Sequence, residues 1–404
     1  ELVEVVIKSG SGSEKKGDSY LSTIYRFTVT ATTGETGNRY YFSFLPRIRN
    51  ETILVHVIAK GFPKNVARRK TFRSPDFFET EINFYNNVWP LMKEVKLSND
   101  LEEPDEVPLL LSSFSDGKND YIALKDISFD GYGTGERNLG IDRECASLFL
   151  KLLANFHALS IAARHQNPHF EKVARSLKET YFDERFRKWY TGFMSKNLYQ
   201  VVRQAVENYL DALYLRKLEE LFSNDFYGRL CELAKNYRGK LLAVTQGDAW
   251  LPNFLVKVEN GIPTHAVLID FQLARYSSLT SDLVHFLYSC LSQEVLTNHW
   301  DDLVLEYHQH LSRRIAELGC NENLITLEDL KEDMQKNSHV GLVMSMESTV
   351  TSMLTDEEVP DLDTIQGTEA VPLEVVWDFK PFEDEPRNKR VAFLIKHAVD
   401  KGFM

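Results

Sequence analysis

Over roughly the first sixty residues the hydrophobic positions follow a short period. Val3, Val5 and Ile7 alternate with Glu4 and its neighbours, and a Ser/Gly run at 9–13 then breaks the pattern. Ile24, Phe27 and Val29 lie in a second β-rich run, which closes at the Gly/Thr/Asn cluster of 33–38. Arg39–Leu45 and Ile53–Lys60, rich in aromatic and β-branched residues, read as two further strands. The polar breaks between them are too short for parallel crossovers, so the pattern predicts an antiparallel sheet. Ser74-Pro75 predicts a helix start, with serine as N-cap and proline as first helical residue. Phe78, Ile82, Tyr85 and Trp89 then recur at helical spacing. Pro108–Phe114 and Asn119–Lys125 predict two strands around the turn Ser115-Asp116-Gly117.

From about residue 141 the period lengthens. Cys145, Leu148, Leu152, Phe156 and Leu159 form one helical stripe, and Leu210–Tyr237 continues the helical pattern. A β island interrupts it at 241–271, with short strands at Leu241–Val244, Phe254–Val258 and Ala266–Ile269. Helix is expected again through about 340, then an Asp-, Glu- and Pro-rich loop over 351–385, then a basic helix near 387–401. There is no internal repeat. The layout is α+β: a small β-rich domain over 1–125, a hinge near 123–127, and a larger, mostly helical domain over 126–404.

Composition narrows the partners. The 404 residues are 43% hydrophobic and 26% charged, enough to bury a substantial core. With 47 basic against 59 acidic residues the formal charge is −12, which disfavours nucleic acid and anionic membranes. Cys145, Cys231, Cys290 and Cys320 lie 86, 59 and 30 residues apart, a spacing that suits neither a disulfide framework nor a zinc site. Glu1 opens a polar segment unlike a signal peptide, and no run of apolar residues reaches the roughly 18 of a membrane span. The expectation is a soluble, cytoplasmic protein with reduced thiols.

The most informative stretch is Thr245-Gln246-Gly247-Asp248-Ala249-Trp250-Leu251-Pro252-Asn253, followed by Leu268-Ile269-Asp270-Phe271-Gln272. It supplies an Asp, an Asn five residues later, and a second Asp 17 residues after that, each beside a short strand. Phosphoryl transfer from a nucleotide needs one carboxylate to orient a hydroxyl and accept its proton. It also needs a carboxylate and an amide oxygen to hold Mg²⁺ against the phosphates. Asp248 fits the first role, and Asn253 and Asp270 the second. Upstream, Lys60 ends an apolar strand where a cation could reach phosphates, and Glu81 sits at the edge of a helical stripe that would bury it. Gly10, Gly12 and Gly17 could form a phosphate-covering turn, since glycine permits φ > 0 and close backbone approach, or a plain hairpin loop.

These residues resemble a known family. Gly17-Asp18-Ser19-Tyr20-Leu21-Ser22-Thr23-Ile24-Tyr25-Arg26, Lys60-Gly61-Phe62-Pro63, Phe78–Tyr85, Phe156-His157-Ala158, Gly247-Asp248-Ala249-Trp250…Asn253 and Ile269–Tyr276 look like ecdysteroid kinase-like proteins, relatives of choline and aminoglycoside kinases. The resemblance runs from roughly residue 5 to 400. It implies a two-lobed protein-kinase-like fold, with a small antiparallel β-sheet N-lobe and a larger helical C-lobe. It implies ATP-dependent phosphorylation of a small hydroxyl compound, either an ecdysteroid or a dietary lipophilic alcohol, by a monomer. Asp248 would be the base, Asn253 and Asp270 the Mg²⁺ ligands, and Lys60–Glu81 the phosphate-anchoring pair. Gly10, Gly12, Gly17 and Ser22 would lie at the nucleotide, with the backbone of Leu124, Lys125, Asp126 and Ile127 around the adenine.

The sequence departs from that family where Gln246 replaces a usual histidine; glutamine can still donate and accept hydrogen bonds. The departure keeps open a non-catalytic binding module, as the acidic run keeps open a choline- or ethanolamine-type kinase. The segment Arg39–Arg49 also looks longer than the usual strand connection. His157 reads as a structural histidine. The run Lys64, Arg68, Arg69, Lys70 and Arg73 reads as a solvated loop, or as a guide for ATP. Trp250, Met344, Met346 and Met353 could line a pocket for an apolar alcohol or simply fill the core. Asp356, Glu357, Glu358, Asp361 and Asp363 read as a solvated loop or a receptor for a cationic head group.

Overall fold

The computed structural model describes residues 4–6, 22–32, 52–135 and 140–404. Gly10, Gly12, Gly17 and the expected strand Arg39–Leu45 lie outside the described residues. The first sheet contains β1 (Glu4–Val6), β2 (Thr23–Thr32), β3 (Thr52–Gly61), β4 (Leu110–Phe114) and β5 (Tyr121–Lys125). Its order is β1-β2-β3-β5-β4 and every pairing is antiparallel, as the short connections require. β3 is central: it pairs with β2 from Thr23↔Gly61 to Thr32↔Thr52, and with β5 from Val57↔Lys125 to Gly61↔Tyr121. That position fixes Lys60 on two sides.

The helix Ser74–Asn83 runs through a wider turn at Phe84–Val88 into the helix Trp89–Ser98. Phe78, Ile82, Tyr85 and Trp89 are all buried, as their spacing predicts. The predicted cap is different. Ser74 is already helical, and Arg73 precedes it at φ 50 with no side-chain cap. The cause lies upstream, where the basic run is not a loop. Val66–Thr71 is a helix capped by Asn65, whose side chain accepts from the Arg68 N–H at 2.9 Å. The chain must turn sharply between two helices, and Arg73 is held in that turn by stacking on Phe186 and Trp189 and by an ion pair with Asp76.

The remaining strands belong to the helical part of the chain. β6 (Tyr132–Thr134), β8 (Phe254–Glu259) and β9 (Ile262–Leu268) form one small sheet, and β7 (Leu242–Thr245) with β10 (Arg275–Ser278) form another. β10 has no apolar alternation, so the sequence pattern missed it. Its polar groups find partners instead: Arg275 pairs with Glu179 at 2.9 Å, and Ser278 donates to Asp333. Around these sheets pack the helices Arg143–Gln166, Thr280–Cys290, Gln293–Glu317 and His339–Ser352. Arg143–Gln166 is long and apolar enough to span a membrane by length and composition, and most of that apolar stretch is buried inside the molecule. The last of these helices runs past the expected end near 340, because its Ser and Thr residues are buried alongside Val and Met. The helix Glu385–Asp400 closes the chain. The result is α+β in two lobes, an antiparallel sheet with its helices and a larger helical body.

Between the last two helices, residues 353–384 carry only the short turns Leu362–Thr364 and Leu373–Val376. Most of its acids are exposed, as the sequence suggests, but several are paired. Asp363 pairs with buried Arg68 at 2.8 Å, Glu369 with Lys70 at 3.0 Å, and Glu358 with Arg387 at 2.6 Å. Asn65 Nδ2 donates to the Ile365 carbonyl at 2.9 Å, and the Val371 N–H donates to Thr71 Oγ1 at 2.9 Å. The acidic segment is therefore a strap, latched across to the basic helix Val66–Thr71.

Candidate active site

Three side chains meet at the end of β3. Lys60 Nζ lies 2.9 Å from Glu81 Oε1 and 3.2 Å from Asp270 Oδ2. Glu81 is fully buried on the Ser74–Asn83 helix, and its Oε1 also accepts from the Phe271 N–H at 3.3 Å. One N-lobe carboxylate thus binds both the strand lysine and the backbone next to Asp270. Burial alone would lower the Lys60 ammonium, but Asp270 and Glu81 hold it above its ordinary value. Asp270 has φ 62, a left-handed conformation that aspartate tolerates better than most residues. Phe271 beside it is stacked on Phe84 at 3.8 Å and packs edge-on to Tyr85, which clamps the turn.

Asp248 follows β7. Asn253 Nδ2 donates to Asp248 Oδ2 at 2.9 Å and to the Asp248 carbonyl at 2.8 Å, while the Ile269 N–H donates to the Asn253 carbonyl at 3.0 Å. Burial in the cleft, then the charges of Asp270 and Glu347, push the Asp248 carboxyl up to about 7. The Asn253 amide nitrogen is committed to Asp248, so its oxygen is the atom left to face a cation. Asn253 and Asp270 together offer hard oxygen donors, the set Mg²⁺ prefers when phosphates and water complete its shell. Among the described residues no cluster of three or more His, Cys, Asp or Glu could hold a metal by itself.

Gln246 is fully buried and joins the two halves of this site. Its Nε2 donates to the Ile269 and Asp270 carbonyls at 3.0 and 2.8 Å, and its Oε1 accepts from the Asp248 N–H at 2.7 Å. Beneath it, Asp282 accepts from the Gln246 and Gly247 N–H groups at 2.6 and 3.0 Å. His157 supports Asp282 at 3.2 Å and touches Tyr307 Oη at 2.7 Å, which is the structural role its sequence context suggests. Gly247 has φ +85, and a Cβ there would stand 1.8 Å from the Leu273 carbonyl oxygen, so only glycine fits. Sequence reasoning missed Asp282, since a lone Asp on a helix carries no motif.

The other nucleotide-side candidates lie nearby in the fold or along its edge. Leu124 and Lys125 end β5, and Asp126 and Ile127 follow. The N–H groups of Lys125 and Asp126 donate within the sheet region, to Leu109 and His56 carbonyls at 2.9 Å each. The Asp126 side chain caps the turn at Ser128 and pairs with Arg26 at 3.3 Å. Ser22, just before β2, is buried, and its carbonyl accepts from Arg68 at 3.4 Å.

A cavity of about 130 Å³ opens directly onto Asp248. Tyr181, Trp189, Trp250 and Phe72 form part of its wall, and Trp377 and Phe379 come from the strap side. Of the methionines that could line a pocket or fill the core, Met344 does both, Met346 is buried in the core and Met353 faces a different pocket. Glu347, on the His339–Ser352 helix, also lines this cavity, and nothing in its sequence context marks it.

Comparison with known proteins agrees with this geometry in one respect and is remote in another. The Plasmodium vivax ethanolamine kinase structure is 12% identical, with TM-score 0.36, covering 75% of this chain and 72% of that one. A GDP complex of an aminoglycoside 2'-phosphotransferase-IIIa variant is 14% identical, with TM-score 0.34, covering 80% and 93%. At those scores the likeness is too distant to carry an assignment. A search of curated proteins found no match. The model of the ecdysteroid kinase-like family, by contrast, matches residues 16–320, a stretch that holds Lys60, Glu81, Asp248, Asn253 and Asp270. With about three quarters of the chain matched and its paired lysine, glutamate and aspartates in one cleft, this protein belongs to the ecdysteroid kinase-like family.

Proposed function

We propose that this protein transfers the γ-phosphoryl group of ATP to a hydroxyl of a small, lipophilic acceptor, such as an ecdysteroid or a dietary alcohol. The observation that carries the reading is the opening of an aromatic cavity onto Asp248, on the side of a cleft that also holds Lys60 and Asp270. Apolar walls with a few convergent polar groups suit a lipophilic ligand.

Asp248 accepts a hydrogen bond from the acceptor hydroxyl and takes its proton as the oxygen attacks the γ-phosphorus, whose bond to the β,γ-bridging oxygen breaks to release ADP. A carboxyl raised to about 7 is a better proton acceptor than an ordinary aspartate and still ionises near neutral pH. Asn253 holds that carboxylate in place through Nδ2. Lys60, locked by Glu81, presents its ammonium to the phosphates, so most of the catalysis is positioning and electrostatics. Asn253 and Asp270 would hold Mg²⁺, which when bound neutralises phosphate charge. Gln246 keeps the Asp248 and Asp270 turns in fixed relation, which supports an active loop over a non-catalytic module.

The test is a thermal-shift titration with Mg-ATP, run beside an ATP-consumption assay on a panel of steroids, plant alcohols and choline. The native chain should show a magnesium-dependent rise in Tm by mass action, and Asp270→Ala should lose it. Asp248→Asn should keep the rise and lose about 10²–10⁴-fold in turnover. No rise with the native chain, or full turnover by Asp248→Asn, would defeat the reading.

A further inference from the structure

Glu347 is chemically out of place in its cavity. Oε1 accepts from Tyr181 Oη at 3.0 Å and Oε2 from Tyr190 Oη, and among the described residues no Lys, Arg or His pairs with it. Burial, opposed only by those two phenols, pushes its carboxyl up to about 7. Other buried acids nearby have a basic or backbone partner: Glu81 has Lys60, Glu179 has Arg275, and Asp282 has two backbone amides and His157, while Asp248 has the Asn253 amide. Each Glu347 oxygen has taken one phenol hydrogen, and a carboxylate can accept roughly four. The unused capacity faces a space walled by aromatic rings, one that also reaches Asp248. A buried acceptor without enough donors is costly, and a ligand that supplies a donor relieves that cost on binding.

We propose that Glu347 is a specificity-determining residue of the acceptor site, accepting a hydrogen bond from a second donor, hydroxyl or ammonium, on the acceptor's apolar frame. The two phenols orient the carboxylate, the aromatic walls bind the frame, and the hydroxyl to be phosphorylated lies at the other end, at Asp248. Acceptors with a single polar group would fill the cavity and leave Glu347 undersatisfied. This inference rests on the phosphotransferase reading for which hydroxyl reacts; its binding test does not.

Trp189, Trp250 and Trp377 line the cavity, so intrinsic fluorescence reports its occupancy. Three probes share one frame and differ at the far end: 4-methylbenzyl alcohol, 1,4-benzenedimethanol and 4-(aminomethyl)benzyl alcohol. In the native chain at least one of the two donor-bearing probes should bind about 10-fold more tightly than the methyl probe. Glu347→Leu should erase the preference. Glu347→Gln, whose amide oxygen still accepts, should keep a diol preference and lose an ammonium one. Preference for the diol identifies polyhydroxy acceptors, and preference for the amine identifies amino alcohols. Equal binding of all three probes, no quenching by any at about 10 mM, or a preference surviving in Glu347→Leu would overturn the proposal. Both variants should retain the Mg-ATP rise in Tm, which confirms their fold; loss of that rise in the native chain itself would count against the phosphotransferase reading instead.

Discussion

Gln246 illustrates how much of the site depends on side chains that do no chemistry. Its amide makes three buried hydrogen bonds, two of them to carbonyls on the Asp270 turn and one from the Asp248 N–H. Gln246→Leu preserves bulk and removes all three, leaving buried backbone groups without partners. Urea unfolding should show a loss of about 1–3 kcal/mol, and turnover should fall through misplacement of Asp248. A variant as stable and active as the native chain would show that Asp282 alone holds the loop. At this scale Asp248, Asn253 and Asp270 were legible in the sequence, because a motif fixes their order and spacing. The structure gathers them with Lys60 and Glu81. Gln246 was legible only as a departure from a pattern, and its bridging role appeared when the two turns came together. Glu347 and Asp282 were invisible, since their meaning comes from Tyr181 and His157, 166 and 125 positions away along the chain.

Elements whose burial is one-sided were readable, and those stabilised by polar partners were not. The strand pairs and the Phe78/Ile82/Tyr85/Trp89 stripe follow directly from hydrophobic period. β10 escaped because its Arg and Ser side chains are buried in hydrogen bonds. The helix Val66–Thr71 escaped because its charges suggested solvent, while Arg68 is in fact buried against Asp363 and the Ser22 carbonyl. That helix and the strap form one unit through Arg68, Lys70, Asn65 and Thr71. Removing the buried member should loosen the strap while leaving the core intact. In Arg68→Ala, limited proteolysis should cut within 355–371 several-fold faster at unchanged cutting elsewhere. Lys70→Ala, which removes only an exposed pair, should change little. Equal cutting of native and Arg68→Ala would mean that the strap is held by its aromatic residues alone.

Across the whole molecule the two lobes meet at a charge cluster. Glu81 belongs to the N-lobe helix, Asp270 and Phe271 to the C-lobe, and Lys60 sits between them. Taking away Lys60 leaves two carboxylates facing each other in a buried cleft. Lys60→Ala should therefore cost about 3–5 kcal/mol of unfolding free energy, and adding Glu81→Leu should restore part of it. Additive losses in the double variant would show that the pair does not interact. The lobe arrangement itself was legible from the change of hydrophobic period near residue 141, whereas the closeness of the strap to the first lobe was not, since some 300 residues separate Asn65 from Ile365. The order of parts along the chain has one more consequence. The groups proposed to move the phosphoryl group all precede residue 320, where the family match ends, while Met344, Glu347, Leu373, Trp377 and Phe379 of the cavity wall all follow it. About half of the cavity wall is thus encoded apart from those groups, while Phe72, Tyr181, Trp189 and Trp250 are interleaved with them. Changes confined to the final eighty or so residues would reshape that half of the wall without touching the groups proposed to move the phosphoryl group.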